Sequence, residues 1–492
     1  MIALRRLFGV PSARAPPPTV ESDDIYPVHM LDSSQTLQGI VAGWTLRFNN
    51  VLDADMLHAS LSGLSEIGDW GKISGRLRLK DNGALEIRVP QSFTEERPAV
   101  SYSYQNLAVD IEDHPLAKSL PKATEAASVQ PGPVVFRAFA AADDAPVTLD
   151  DFIYKNKPQM SLFITSFNNA TLVSLLWPHT LMDVMGQQAL LRAWSLVLAG
   201  QKSEVPPLLG AREDPMRGAT DAPADRAEEF KLGQKQLKGW RLLRFALQFG
   251  WDLLWGGVME TRTIFLPKRI VVDLKHQAQS NLVAGDGREQ QAFISEGDVL
   301  TAWSVRAVAS LLPQPRPLSV LHVINARFRL SPLLQSSSVY CLSANHARGP
   351  LGPIALENRH CLMEQSTEDQ VLAFLHHMRS QPGSGRDSNL VCGEPDTLLM
   401  PFTNWTRANI FQVADFSPAI IQIGETGKSR VNPPGTMVFH HAQSMRESLV
   451  ARNVVVVLGK DHGDNYWLTG TLTAATWAKI EEHIRQGNSS TG

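Results

Sequence analysis

Thr171-Leu172-Val173-Ser174-Leu175-Leu176-Trp177-Pro178-His179-Thr180-Leu181-Met182-Asp183-Val184-Met185-Gly186 is the stretch from which the rest of the chain is read. Thr171 to Trp177 is a run of apolar and β-favouring residues, the pattern of a buried strand. Pro178 ends that strand, because it has no N–H to give the ladder. From Val184 to Leu198 the apolar spacing lengthens toward that of a helix, through Leu190, Leu191, Trp194, Val197 and Leu198. His179 therefore stands where a strand stops and a helix begins, a suitable place for a group that moves protons.

Spacing alone decides little. With 14 His and 49 acidic residues among 492, about one His-x-x-x-acid match arises by chance, so context has to carry the motif. A second match, His360 to Glu364, lies in a polar helix-like stretch and reads as a solvated i,i+4 pair. For His179 the alternative is a core or helix-capping histidine, and the local sequence leaves both readings open.

The length exceeds what one hydrophobic core usually supports, so two domains of roughly 200 residues are expected. A hydrophobic fraction of 43% and a charged fraction of 19% are ordinary for a globular chain. A net charge of −3 and a pI near 6.5 offer no electrostatic reason for nucleic acid as a partner. Cys341, Cys361 and Cys392 form no Cys-x-x-Cys pair, which speaks against a disulfide framework and a cysteine-rich zinc site. A reducing, cytoplasmic setting is the simpler expectation. Met1 to Pro18 has no sustained apolar core and reads as part of a disordered lead rather than a signal peptide.

Along the chain, Ile40 to Phe48 reads as a strand and Leu52 to Leu57 opens a helix. Gly75 to Leu79 and Leu85 to Val89 alternate around Asp81-Asn82-Gly83 as a hairpin. Further strands are expected near Val134 to Ala140, Leu162 to Asn168, Leu318 to Asn325, Ala419 to Gly424, Thr436 to His440 and Asn453 to Leu458. Ser295-Glu296-Gly297-Asp298 caps a helix running to Leu312, and Ala474 to Ile484 is the last helix. Residues 201 to 235 are rich in Pro, Gly, Asp and Glu, as a linker would be. Strands and helices interleave throughout, which is an α/β pattern.

Trp240 to Met259 is the most apolar region, with Arg244, Gln248 and Asp252 making one polar stripe. Its charges and length argue against a membrane span. Two readings remain: a helix packed across the domain boundary, which is favoured, and an interfacial helix at a membrane surface through residues 240–255.

Other motifs carry less. Gly424-Glu425-Thr426-Gly427-Lys428-Ser429 looks like the end of a phosphate-binding loop, but Gln422 replaces its first Gly and Pro433-Pro434 oppose the helix it needs. Lys428 and Arg430 remain candidates to touch a ligand phosphate. No Gly-x-Ser-x-Gly elbow occurs, and the pairs His376-His377 and His440-His441 point opposite ways on a strand, so no metal site is expected. Thr403-Asn404-Trp405, followed by a buried-looking Asp415, suits either a site wall or a loop anchored by one tryptophan.

These pieces together resemble the BAHD-type acyltransferases, within the chloramphenicol-acetyltransferase-like superfamily, and among them the fungal secondary-metabolite branch. The likeness runs from about Tyr26 to the C-terminal helix. His179-Thr180-Leu181-Met182-Asp183 matches the family's His-x-x-x-Asp, with Gly186 three residues on, where plant members have Gly at once. Ser295 to Arg306 is similar to its Ser-x-x-Asp-x-Leu-x-Ala helix, and Asn325 to Leu330 to its Asp-x-Arg-x-Arg-Leu segment. Asn345 stands where a Gly-Asn pair is usual, and Thr403-Asn404-Trp405 matches Thr-Ser-Trp. Asp415-Phe416 matches the start of Asp-Phe-Gly-Trp-Gly, but Ser417-Pro418-Ala419 replaces the remainder.

The resemblance implies two chloramphenicol-acetyltransferase-like domains with mixed sheets and an active-site channel between them. The corresponding division is a lead at 1–21, a first domain at 22–200, a crossover with the apolar helix at 201–262, and a second domain at 263–492. It implies a monomer that uses acyl-CoA, by default acetyl-CoA, as co-substrate and holds no permanent cofactor. His179 would be the base that takes a proton from a lipophilic alcohol or amine as it attacks the thioester. Asp183 would pair with Arg327 in a structural role, as Asp415 would support the site. Trp405, Asn404, Thr403 or Asn345 would face the oxyanion or substrate. Two rivals are a condensation-type enzyme using a carrier-protein thioester, against which Pro178 replaces the first of two His, and a non-catalytic binding protein on the same fold.

Overall fold

The computed structural model describes residues 16–214, 216, 228–283, 293–312, 316–330, 338–345, 349–380, 391–424 and 431–489, with residues 338–345, 380 and 487–489 as backbone alone. Two large sheets organise them. The first has five strands in the order Met437–Ser444, Val41–Phe48, Thr171–Pro178, Ser161–Ser166, Ser101–Asn106. All neighbours are antiparallel except the last pair. The second has seven strands, in the order Ser338–Asn345, Leu318–Asn325, Leu398–Asn404, Val454–Lys460, Tyr466–Thr473, Met259–Leu266, Ser128–Pro131. Leu398–Asn404 runs parallel to both its neighbours, so this sheet is mixed.

Each sheet borrows a strand from the other half of the chain. Met437–Ser444 pairs with Val41–Phe48 in the first sheet, and Ser128–Pro131 pairs with Met259–Leu266 in the second. The lobes are therefore stitched together by backbone hydrogen bonds.

Thr171–Pro178 and Val41–Phe48 are buried at every position, so both faces of the first sheet's centre are covered. Trp44, Trp177, Leu175 and Trp194 of the helix Val184–Leu198 fill that core. In the second lobe the helix Glu296–Ala309 lies buried along most of its length against Leu318, Val320, Phe402 and Leu468. Ser295 caps it in full, its hydroxyl accepting from Asp298 N while the Asp298 carboxylate accepts from Ser295 N.

The hairpin forms as Arg76–Leu79 against Leu85–Val89, with Gly83 at φ +82° in the turn. Two expectations do not hold. Val134 to Ala140 is a 3-10 helix, Pro133–Phe139, and the strand lies just before it at Ser128–Pro131. Pro133 at the first helical position has the φ such a turn requires, and it has no N–H to extend the ladder. The tryptophan helix, Gly239–Trp255, is not packed across a domain boundary: Phe245 is its one buried residue, and Trp240 and Leu254 are 72% and 75% exposed. Among the described residues no helix is long and apolar enough to cross a membrane.

Candidate active site

The strand Thr171–Pro178 delivers His179 to a tight turn. His179 N donates to Ile40 O at 3.0 Å, and Leu181 N donates back to Pro178 O at 2.9 Å. Asp183 then caps the helix Val184–Leu198, accepting from Met185 N at 3.1 Å and Gly186 N at 3.0 Å. Gly186 is required here, because a Cβ would lie 2.5 Å from Met182 Cβ.

Arg327, in the short helical turn after the strand Leu318–Asn325, reaches this cap from the other lobe. Its guanidinium donates to both carboxylate oxygens of Asp183, at 2.6 and 3.0 Å. Both oxygens are thereby committed away from the imidazole. Burial pushes the Asp183 carboxyl up, but Arg327 and the Gly186 N–H outweigh it and hold it below the usual carboxylate range.

His179 lines a cavity of about 1240 Å³ walled by both lobes. Ile40, Leu181 and Met182 border it on one side, and Leu321, Pro401 and Phe402 on the other. Single drug-sized ligands occupy pockets of ~300–1,000 Å³, so this one has room for two reactants. Burial lowers the His179 pKa below its ordinary value, with its own backbone carbonyl and Asp183 opposing the shift. The imidazole is therefore neutral at neutral pH and able to accept a proton. Its buried Nδ1 makes no hydrogen bond of normal geometry to another described residue.

Thr403, Asn404 and Trp405 line the same cavity, at the end of the strand Leu398–Asn404. Asn404 Oδ1 accepts from Thr406 N at 2.9 Å, and its amide nitrogen faces the Gly297 turn, 3.1 Å from where a Cβ on that glycine would sit. The Trp405 ring lies nearly parallel to that of His440, 7° apart with centroids at 6.5 Å. His440 is fully buried, its pKa pushed down to about 3 by burial and by the neighbouring His441, and its Nδ1 accepts from Trp44 Nε1 at 3.1 Å. It serves as a neutral backing plate for the tryptophan.

The remaining candidates do not gather here. Asp415 is exposed, not buried, and does not line the cavity: its Oδ1 accepts from Ser417 N at 2.9 Å in an Asx turn, the pairing this residue type favours in loops. Its backbone N–H donates to Ser195 Oγ on the His179-side helix. Asn345 ends a strand opposite Leu318, and its side chain lies outside the described residues, as do Lys428 and Arg430 entirely. Glu364 directs its carboxylate to Lys231 Nζ at 3.0 Å, so it is not left to a local pair with His360.

Sequence reasoning missed two polar groups of the cavity. His322 is buried with its pKa lowered to about 4 by burial, and its Nε2 donates to Asn358 Oδ1 at 2.7 Å. Asn358 Nδ2 in turn donates to Asp298 Oδ1 at 2.9 Å, which ties the cavity wall to the capped helix. Asp32, near Asp183 and Arg327, has its pKa raised to about 7 by burial, with Lys72 opposing. His322 sits inside an alternating strand pattern and Asp32 in a plain polar loop, so neither carried a local signal.

No model of a known protein family matches the chain. Among curated proteins, it is 35% identical over 484 residues to the acetyltransferase pyiB of Pyricularia grisea, covering 95% of each chain. It is 33% identical over 490 residues to the O-acetyltransferase PaAT-2 of Phomopsis amygdali, covering 95% of this chain and 99% of that one. Among solved structures, F. graminearum TRI101 complexed with coenzyme A and deoxynivalenol superposes with a TM-score of 0.65 at 14% identity, over 94% of this chain and 97% of the other.

Proposed function

This chain belongs to the BAHD-type acyltransferases, in their fungal secondary-metabolite branch, and on that footing we propose that it transfers an acyl group, acetyl by default, from acyl-CoA to a hydroxyl of a lipophilic secondary metabolite. The observation that carries this reading is a neutral imidazole at a chain reversal, lining a two-lobed cavity large enough for two substrates. Relatives named acetyltransferases and a structural neighbour complexed with coenzyme A support the donor. The mostly apolar walls, among them Leu181, Met182 and Phe402, support a lipophilic acceptor.

A hydroxyl is a poor nucleophile at neutral pH, so its proton must leave as it attacks. With Nδ1 buried, Nε2 of His179 takes that proton while the acceptor oxygen bonds to the thioester carbonyl carbon. The carbonyl oxygen becomes an oxyanion, and Trp405 N–H, Asn404 Nδ2 or the Thr403 hydroxyl, all from residues that line the cavity, is our candidate to donate to it. Collapse breaks the carbon–sulfur bond, and the departing thiolate recovers the proton from the imidazolium. No acyl-enzyme is required, so transfer is direct within a ternary complex. Asp183 works at one remove: paired to Arg327, it holds the turn that presents His179.

The test is to incubate the purified protein with a panel of acyl-CoAs and an extract of the producing organism, following free thiol and mass gain. Acyl-CoA-dependent product from wild type and none from His179→Ala is expected. Transfer from a loaded carrier protein and none from free acyl-CoA would sink the donor assignment.

A further inference from the structure

The tryptophan helix Gly239–Trp255 presents a long apolar stripe to solvent in addition to the apolar residues it packs on its own protein. Trp240, Leu243, Leu247, Trp251 and Leu254 recur at helical spacing and are all exposed, and Val258 extends the stripe at 80% exposure. The inward side holds buried Phe245, with Leu242, Phe249, Leu253, Gln248 and Asp252 half-buried around it. Asp252 takes both guanidinium nitrogens of Arg316 at 2.9 Å, Arg241 reaches Gly393 O at 3.1 Å, and Arg244 pairs with Asp396 at 3.8 Å. Phe245 and the half-buried Asp252–Arg316 pair thus hold the helix down, and the Trp and Leu stripe is left outward.

We propose that this face lays the protein on the surface of a phospholipid bilayer, with the helix parallel to the membrane plane. Three observations select lipid. The helix is ~25 Å long and ~10 Å across, a plan area of roughly 250 Å², against ~800 Å² per partner for a stable protein interface. Its outward residues are mainly Trp and Leu, the side chains that settle between headgroups and acyl chains, with Lys235 and Lys238 exposed at its N-terminal flank to meet anionic headgroups. Beyond its other end, Arg452 donates to Gly256 O and Gly257 O, which brings the turn carrying exposed Leu449 and Val450 to the C-terminal end of the helix.

The position has a consequence for substrate access. The segment leading into the helix pairs with Val391 and Cys392, and Ala451 adjoins Arg452; all three line the His179 cavity. A bilayer under the helix therefore lies next to one wall of the cavity that would take an apolar acceptor. The docking itself does not depend on the acyltransfer reading.

The experiment is vesicle flotation with the full chain, using phosphatidylcholine alone and phosphatidylcholine with phosphatidylserine, alongside the double variant Leu247→Glu/Leu254→Glu. Wild type should float with both and more with the anionic vesicles, and the variant should partition at least ~10-fold less. Its thermal melt should match wild type, since neither leucine is buried. Brominated lipid should quench part of the wild-type tryptophan emission, which requires no variant at all. Absence of flotation and quenching overturns the proposal, whether the protein then runs as a monomer, a dimer or with a protein partner. Equal flotation of the two proteins overturns it too, by placing the contact elsewhere.

Discussion

Arg327 grips Asp183 with two hydrogen bonds, at 2.6 and 3.0 Å, across a sequence separation of 144 residues and across the cleft between the lobes. The side chains are only 14% and 20% exposed. The pair fastens the helix cap behind His179 to the opposite lobe, so the position of His179 and the fit between the lobes are one problem.

Removing one partner of such a pair leaves a buried charge. Arg327→Ala is expected to destabilise by ~3–5 kcal/mol, and Asp183→Asn/Arg327→Gln by clearly less. Because the Asp183 carboxyl is depressed in the fold, the pair's contribution is present above the unfolded pKa of ~3.9 and is lost as pH falls through the folded value. Chemical denaturation at several pH values measures both effects. A double variant as weak as the single one would contradict this account.

His179→Ala should abolish transfer while leaving the thermal melt unchanged, since Nδ1 makes no hydrogen bond of normal geometry to another described residue. Turnover within tenfold of wild type would remove His179 as the base.

Under the proposed mechanism the acid limb of the pH profile should follow the lowered His179 pKa. A base that loses its proton more readily stays competent to lower pH, so the His179 limb of kcat/KM should lie below the ordinary value of ~6.5. Asp32, at about 7, ionises beside the Asp183–Arg327 pair as pH rises. Its titration should add a shallow inflection near pH 7 that Asp32→Asn eliminates. In the Asp32→Asn variant, a limb lying above the ordinary histidine value would contradict the burial argument.

Three donors compete for the oxyanion role. Trp405→Phe removes the indole N–H and keeps an aromatic ring over His440, Asn404→Ala removes an amide, and Thr403→Val removes a hydroxyl. The true donor should cost ~10²–10³ in kcat with little change in KM. If all three variants lose less than tenfold, the oxyanion is held by another group.

Gly186→Ala puts a Cβ against Met182 at the turn that presents His179. A loss of ~1–3 kcal/mol is expected, together with reduced kcat from a displaced imidazole. Unchanged stability and activity would mean that the turn tolerates the shift freely.

Local sequence determined the pieces whose cause is local. The strand stopped by Pro178, the hairpin turned at Gly83 and the cap at Ser295 follow from propensity, ring geometry and side-chain-to-backbone hydrogen bonds between near neighbours. His179, Asp183 and Thr403 to Trp405 were legible because their motifs also span few residues. Tertiary structure alone decided the rest. Which way Gly239–Trp255 turns its outer apolar stripe depends on the burial of Phe245 and on Arg316, more than sixty residues from its partner Asp252, and hydropathy has no direction in space. Asp32 and His322 acquire their altered pKa values from desolvation by distant parts of the chain. Asp415 looked buried because its neighbours are apolar, yet its carboxylate found a backbone N–H two residues on and stayed in water.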